Sequence, residues 1–337
     1  MKKIDSLGFL RGVAVLMVCL CHFGNPLAND NIFSGLFTAF HEYGKYGVQV
    51  FFVISGFVIP FSLYKGKYVL SDYFKFLYKR LLRLHPPYLV ALLLTLVIMF
   101  VSYRARHLAF PENASSIIKS LFYLHIPADN PVFWTLAVEA QYYLFIGLFY
   151  IALIRYPRIS VGILIPILVA LGQTSFSEYV TLFSYLIFFL IGIVGFLIYS
   201  ELGMRLLNWI VLGALIVASF VFDEVPGAIA SLAAIAFILL YTKSIPEALQ
   251  FPGKVSYSVY LIHFPVGVKL INFLSHKVTP SYNWLLLIAL TVFVFIVGHF
   301  YYKIFEEYSE ALSKRIKYKA AMDKEAAAER AKAVLAQ

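Results

Sequence analysis

Hydrophobic positions along this chain fall into long runs separated by short polar stretches, without the alternation of a soluble fold. Ten such runs lie at approximately 7–23, 46–63, 87–103, 133–153, 159–172, 180–199, 206–222, 227–242, 255–274 and 284–302. Most have the roughly 17–25 residues that an α-helix needs to cross about 30 Å of hydrocarbon. The pattern predicts an all-α, polytopic transmembrane bundle of about ten helices. The run at 159–172 is short and contains Pro166, which predicts either a kinked crossing or one half of a broken helix paired with the next run. Residues 1–23 have the charged start and apolar run of a signal peptide. No small-residue cleavage site follows and Arg11 interrupts the run, so the segment reads as the first helix.

Composition agrees: 61% of residues are hydrophobic and 14% charged, where soluble domains carry about 25% charged. A net charge of +10 raises nucleic acid as a partner, and the distribution of that charge argues against it. With the N-terminus inside, 21 basic residues fall in the tails and even-numbered connections, against five (Lys45, Arg104, Arg106, Lys119, Lys277) on the other side. The positive-inside rule then makes both termini cytoplasmic in a plasma (inner) membrane, with the 104–132 connection outside. That connection is predicted to hold a short helix at 115–124. No repeat or linker divides the chain, so residues 1–312 read as one transmembrane domain and 313–337, ending KEAAAERAKAVLAQ, as a cytoplasmic charged helical tail. Cys19 and Cys21 project about 200° apart on the first helix and are given no redox or metal role.

Polar residues inside apolar runs are the candidates for chemistry, because each is costly in lipid. Arg11 and His22 are eleven residues apart, about 1100° of helical rotation, so they share one stripe about 16 Å apart. The bland alternative is that each snorkels to headgroups. The second run, YGVQVFFVISGFVIP, holds Gln49, Ser55 and Gly56, which suit close helix approach or a polar cavity wall. KRLLRLHPPY places Arg80 and Arg83 on one face just before a helix-breaking Pro86-Pro87 pair, where they suit a phosphate clamp or inner-leaflet headgroup binding. FWTLAVEAQYYLF buries Glu139 and Gln141 beside Trp134, and GKVSYSVYLIHFP adds Ser256, Tyr257, Tyr260 and His263.

Taken in order, Arg11 with ten residues to His22, FFVISGF, KRLLRLHPPY, FWTLAVEAQYY and SYSVYLIHFP resemble the motifs of acyltransferase family 3, membrane-bound O-acyltransferases of surface glycans. The resemblance covers most of the chain. It implies acetyl-CoA, or another short acyl-CoA, as a donor used from the cytoplasm. It also implies a glycan or lipid-linked saccharide acceptor on the far side, membrane lipids as surroundings, and no metal. It makes Arg11 and His22 the functional centre, Arg80 and Arg83 the basic motif, and Glu139 the glutamate of the Trp-containing motif. This chain departs from the pattern in having Gly8 where relatives carry an acid three residues before the arginine. It also reads FEEYSE where they have Glu-x-Pro, which leaves Asp5, Glu306 and Glu307 as candidate partners for Arg11.

The expected mechanism has His22 as general base on an acceptor hydroxyl and Arg11 as oxyanion or donor-orienting group. An acyl-enzyme on Ser55 or His22 is the variant. Gln49, Ser55, Trp134, Tyr257 and His263 are assigned to substrate contact or support. A transporter or flippase of a lipid-linked sugar is the competing class, and no repeat between halves supports it. A non-catalytic sensor would need neither the Arg-His stripe nor the basic clamp.

Overall fold

The computed structural model describes residues 4–28 and 32–319, all helix and connection with no strand among them. α1 (Asp5–Leu27) starts with Asp5 in its first turn, where a carboxylate favours the helix dipole. α2 (Ser34–Gly44) and α3 (Gly47–Lys65) return as one broken span. α4 (Tyr73–Ala105) is followed by α5 (Ala114–Leu121), which Asn113 caps through a reciprocal pair of bonds with Ser116. α6 (Trp134–Arg155), α7 (Pro157–Gly172), α8 (Leu182–Tyr199), α9 (Arg205–Phe222) and α10 (Val225–Leu240) continue the bundle. Then come the short α11 (Glu247–Lys254), α12 (Ser256–Leu274), α13 (Asn283–Tyr301) and α14 (Glu307–Arg315).

Eight helical segments among the described residues are long and apolar enough to cross a membrane, and α7 and α10 are shorter apolar helices. The bundle is therefore helical and membrane-spanning, and a count of ten needs those two. In α7 a π-helical turn, Ser160–Leu164, precedes Pro166 and absorbs its missing amide donor. The expected helix 115–124 is α5, ending at Leu121.

The structure corrects the sequence reading at the basic motif. Pro86 and Pro87 do not break a helix: α4 runs through them for 33 residues, so Arg80 and Arg83 stand on a helix, not in a connection. Neighbours hold the backbone where two amide donors are lost. Tyr257 donates to the Leu84 carbonyl at 2.7 Å and Tyr301 to the Pro87 carbonyl at 2.5 Å.

Two buried apolar groups make the core. One centres on α3, α6 and α8, with Phe57, Tyr142 and Phe189; the other on α1, α4, α12 and α13, with Phe23, Tyr88, Ile262 and Val294. α3 and α8 cross so closely that a Cβ on Gly56 would run into the Phe189 carbonyl oxygen, and one on Gly192 into that of Val53. Only glycine fits at that crossing. Outward faces such as Leu206, Ile210, Val217 and Val221 of α9 are exposed and apolar, as a lipid-facing surface requires.

Ile4 and Lys314 line the same opening, so the two described ends of the chain lie at one end of the bundle. The boundary expected at 312/313 falls inside α14, and residues 313–319 pack back on the bundle. The rest of the expected tail lies outside the described residues.

Candidate active site

Between the two cores lies a cavity of about 1050 Å³. Its mouth, at the end carrying Ile4 and Lys314, is rimmed by exposed Lys65, Glu247 and Lys254. Arg11, Ser55, Arg80, Arg83, Glu139, Tyr257 and Glu306 line its walls. The blind end is formed by the first turns of α3 and α6, with Val48, Phe51, Thr135 and Leu136, and by Tyr260. Phe51 and Tyr260 meet edge to face at 6.0 Å, and the Tyr260 hydroxyl bonds Thr135 Oγ1 at 2.7 Å.

The cations of this cavity are unevenly compensated. Arg83 Nη2 lies 3.0 Å from Glu310 Oε1. Arg80 is 8% exposed, its guanidinium lies over Phe76 and Tyr143, and its Nε is buried without a hydrogen-bond partner. Neither Arg80 nor Arg11 makes an ion pair among the described residues. None of the expected partners forms an ion pair with Arg11: Glu306 accepts from Ser258 Oγ at 2.6 Å and from its amide at 3.2 Å, Glu307 pairs with Lys303, and Asp5 makes no ion pair among the described residues. Glu139 is the carboxylate of the cavity that attracts both Arg11 and Arg80; a buried cation without a direct ion pair is expensive in protein, and an anionic ligand would lower that cost.

Glu139 accepts a short hydrogen bond from Tyr143, one helical turn on. Ser55 Oγ is 3.5 Å from the same Glu139 oxygen, the outer limit of a hydrogen bond. Helical i,i+4 spacing from Glu139 was a signal that could have found Tyr143. Nothing local in the sequence distinguishes Glu310 from a solvated charge.

His22 does not line the cavity. It lies beyond the blind end, partly exposed, with its ring 5.4 Å from that of His263 and 5.3 Å from Phe264. His263 is fully buried on a π-helical turn, with Nδ1 2.6 Å from the Tyr260 carbonyl oxygen and Nε2 buried without a partner. That carbonyl can only accept, so Nδ1 carries the proton and Nε2 the lone pair. The structure thus puts Arg11, Ser55, Arg80, Arg83, Glu139 and Tyr257 on one cavity and His22 with His263 just past its end. Trp134 and Gln49 are on neither: Trp134 packs on Tyr185 and Phe52, and Gln49 lies beside Gly227 with Oε1 buried and unpartnered.

A family model described as an acyltransferase domain, that of acyltransferase family 3, matches residues 4–302. The chain belongs to that family. No match was found among curated proteins or among solved structures. The matched stretch of this acyltransferase contains every wall residue named above except Glu306, and it ends just before that residue and α14.

Proposed function

We propose that this acyltransferase moves a short acyl group, most simply acetyl, from an acyl-CoA bound in the cavity to a hydroxyl of a glycan or lipid-linked sugar. The observation that carries this reading is the pair of arginines, Arg11 and Arg80, that line a cavity of about 1050 Å³ and make no ion pair among the described residues. Coenzyme A is a polyphosphate with a long flexible arm, and guanidinium groups bind phosphates bidentately. The basic residues around the mouth support a cytoplasmic assignment of that end by the positive-inside rule. Phosphates held by Arg80 and Arg83 leave the arm to extend past Arg11 and Ser55 toward the blind end.

In the chemical step the acceptor oxygen attacks the thioester carbon while its proton passes to His22. The tetrahedral oxyanion then collapses, the carbon–sulfur bond breaks, and the CoA sulfur leaves with the proton returned by His22. Arg11 steadies negative charge on the donor, and Glu139 with Tyr143 shapes the wall beside it. His263 presents its unpartnered Nε2 beside the His22 ring, and a bond accepted there in the donor complex would fix the tautomer of His22. Tyr260 and Phe51 must swing aside for thioester and His22 to meet.

Purified protein with thioester-labelled acetyl-CoA and a membrane extract of glycolipid tests the reading. Free CoA should appear together with labelled glycolipid, and His22→Ala should release none. Absence of both CoA binding and CoA release in the wild-type protein overturns it.

A further inference from the structure

The stretch after residue 302 lies beyond the family match, yet it forms one wall of the cavity mouth. It is fastened at several points. Ser313 Oγ donates to the Lys79 carbonyl at 2.9 Å, Lys79 Nζ donates to that of Ile316 at 3.3 Å, and the Lys319 amide donates to the fully buried Asp72 carboxylate at 3.1 Å. The Tyr318 ring packs on Tyr68 and under Lys79 Nζ. This is a fixed strap, and it delivers one side chain to the basic motif: Glu310, whose Oε1 holds Arg83 at 3.0 Å.

Glu310 has a second cation within reach. Its other oxygen, Oε2, is 3.4 Å from the exposed Lys314 Nζ. Leaving Arg83 therefore does not strand the carboxylate, and both partners keep contact with solvent, with side chains 33% and 20% exposed. Arg11 and Arg80, by contrast, make no ion pair among the described residues, and Glu139 is the carboxylate of the cavity that attracts both.

We propose that Glu310 is a displaceable counterion that sets the affinity of the donor site, an inference that rests on the acyl-CoA reading above. In the empty cavity it occupies the Arg83 fork; a donor phosphate takes its place, and Glu310 retires to Lys314. When the thiol product leaves, Glu310 returns to Arg83 and completes its release. Without Glu310, three arginines free of ion pairs would hold the spent polyphosphate as firmly as the donor, and such uniform binding slows turnover. Glu310 touches no reacting atom. It acts through Arg83, as a positioning and affinity-determining residue.

Binding of coenzyme A and of pantetheine, which lacks the phosphates, is measured by calorimetry on the full chain in detergent, for wild type, Glu310→Gln, Arg83→Ala and the double variant. Glu310→Gln should bind coenzyme A about three- to tenfold more tightly, the range of a partly exposed ion pair, with pantetheine unchanged. In the Arg83→Ala background the same substitution should change nothing. Turnover under saturating donor should fall as product release slows, with donor KM lowered. Wild-type binding of coenzyme A with equal or weaker binding by Glu310→Gln overturns this inference alone. Failure of wild type and Glu310→Gln alike to bind coenzyme A overturns the donor reading and this inference with it. Glu310→Asp is the folding control: it keeps the charge and should leave affinity near wild type, and a twofold or larger tightening would equally count against the proposal.

Discussion

The rings of His22 and His263 lie 5.4 Å apart at a tilt of 38°, one partly exposed and the other fully buried with a free lone pair on Nε2. If that lone pair holds His22 in register, His263→Gln, whose amide oxygen can still accept, should lose about tenfold in kcat, and His263→Phe at least a hundredfold. Donor KM should be unchanged in both. Equal losses for Gln and Phe, tracking thermal stability, would make His263 a packing residue.

Arg80 carries a buried charge with an unpartnered Nε. Arg80→Met should therefore raise the thermal midpoint of the unliganded protein, because a buried cation is replaced by apolar volume, while donor KM rises tenfold or more. Loss of stability together with an unaltered donor KM would leave Arg80 a structural cation for its aromatic neighbours.

At the crossing of α3 and α8, Gly56→Ala drives a methyl group into the Phe189 carbonyl oxygen. The helices must part, at a cost of about 1–3 kcal/mol, and the cavity wall at Ser55 shifts with them. Thermal unfolding and acyl transfer should both decline. An unchanged melting curve would show that the helices are not held this closely.

Glu112, in the connection between α4 and α5, is 9% exposed, and burial alone would raise its pKa. Hydrogen bonds from Ser116, the Ala128 amide and His125 outweigh burial and hold the carboxyl below its ordinary 4.5. A folded-state pKa below the unfolded one contributes stability that is present above about pH 4.5 and lost as pH falls through the depressed value. Protease nicking within 106–130 should increase on acidification below that point, and Glu112→Gln should nick readily at neutral pH with a flat profile. A wild-type nicking rate independent of pH down to 3 would contradict the assignment.

Sidedness can be read with an impermeant thiol reagent, since the native Cys19 and Cys21 are buried. Arg106→Cys should label in intact cells and Arg315→Cys only after permeabilisation. The reverse pattern would invert the donor and acceptor sides together.

The helical bundle and its family were legible because lipid demands long apolar runs and makes each interruption expensive. Arg11, Arg80, Arg83 and Glu139 stood out for that reason, and they do share one cavity. Periodicity could not show that Arg11 and His22, on one stripe of α1, face different compartments of the bundle, because that depends on where Tyr260 and Phe51 close the space. Nor could it show that α4 survives two prolines, since the tyrosines that steady its carbonyls come from α12 and α13, some 170 and 210 residues away. Glu310 was hidden for the same reason: its partner is 227 residues distant.

α1 also acts as a ruler. Between Arg11 and His22 it is one unbroken helix, its sole proline, Pro26, lying past both, so their spacing of about 16 Å cannot be shortened by bending or sliding that helix. Any molecule anchored near the first residue that is to react beside the second must itself span the gap. Selection among thioesters can then rest on the length of the arm between anchor and reactive carbon, a dimension that the smallest acyl esters lack however well their acyl group would fit.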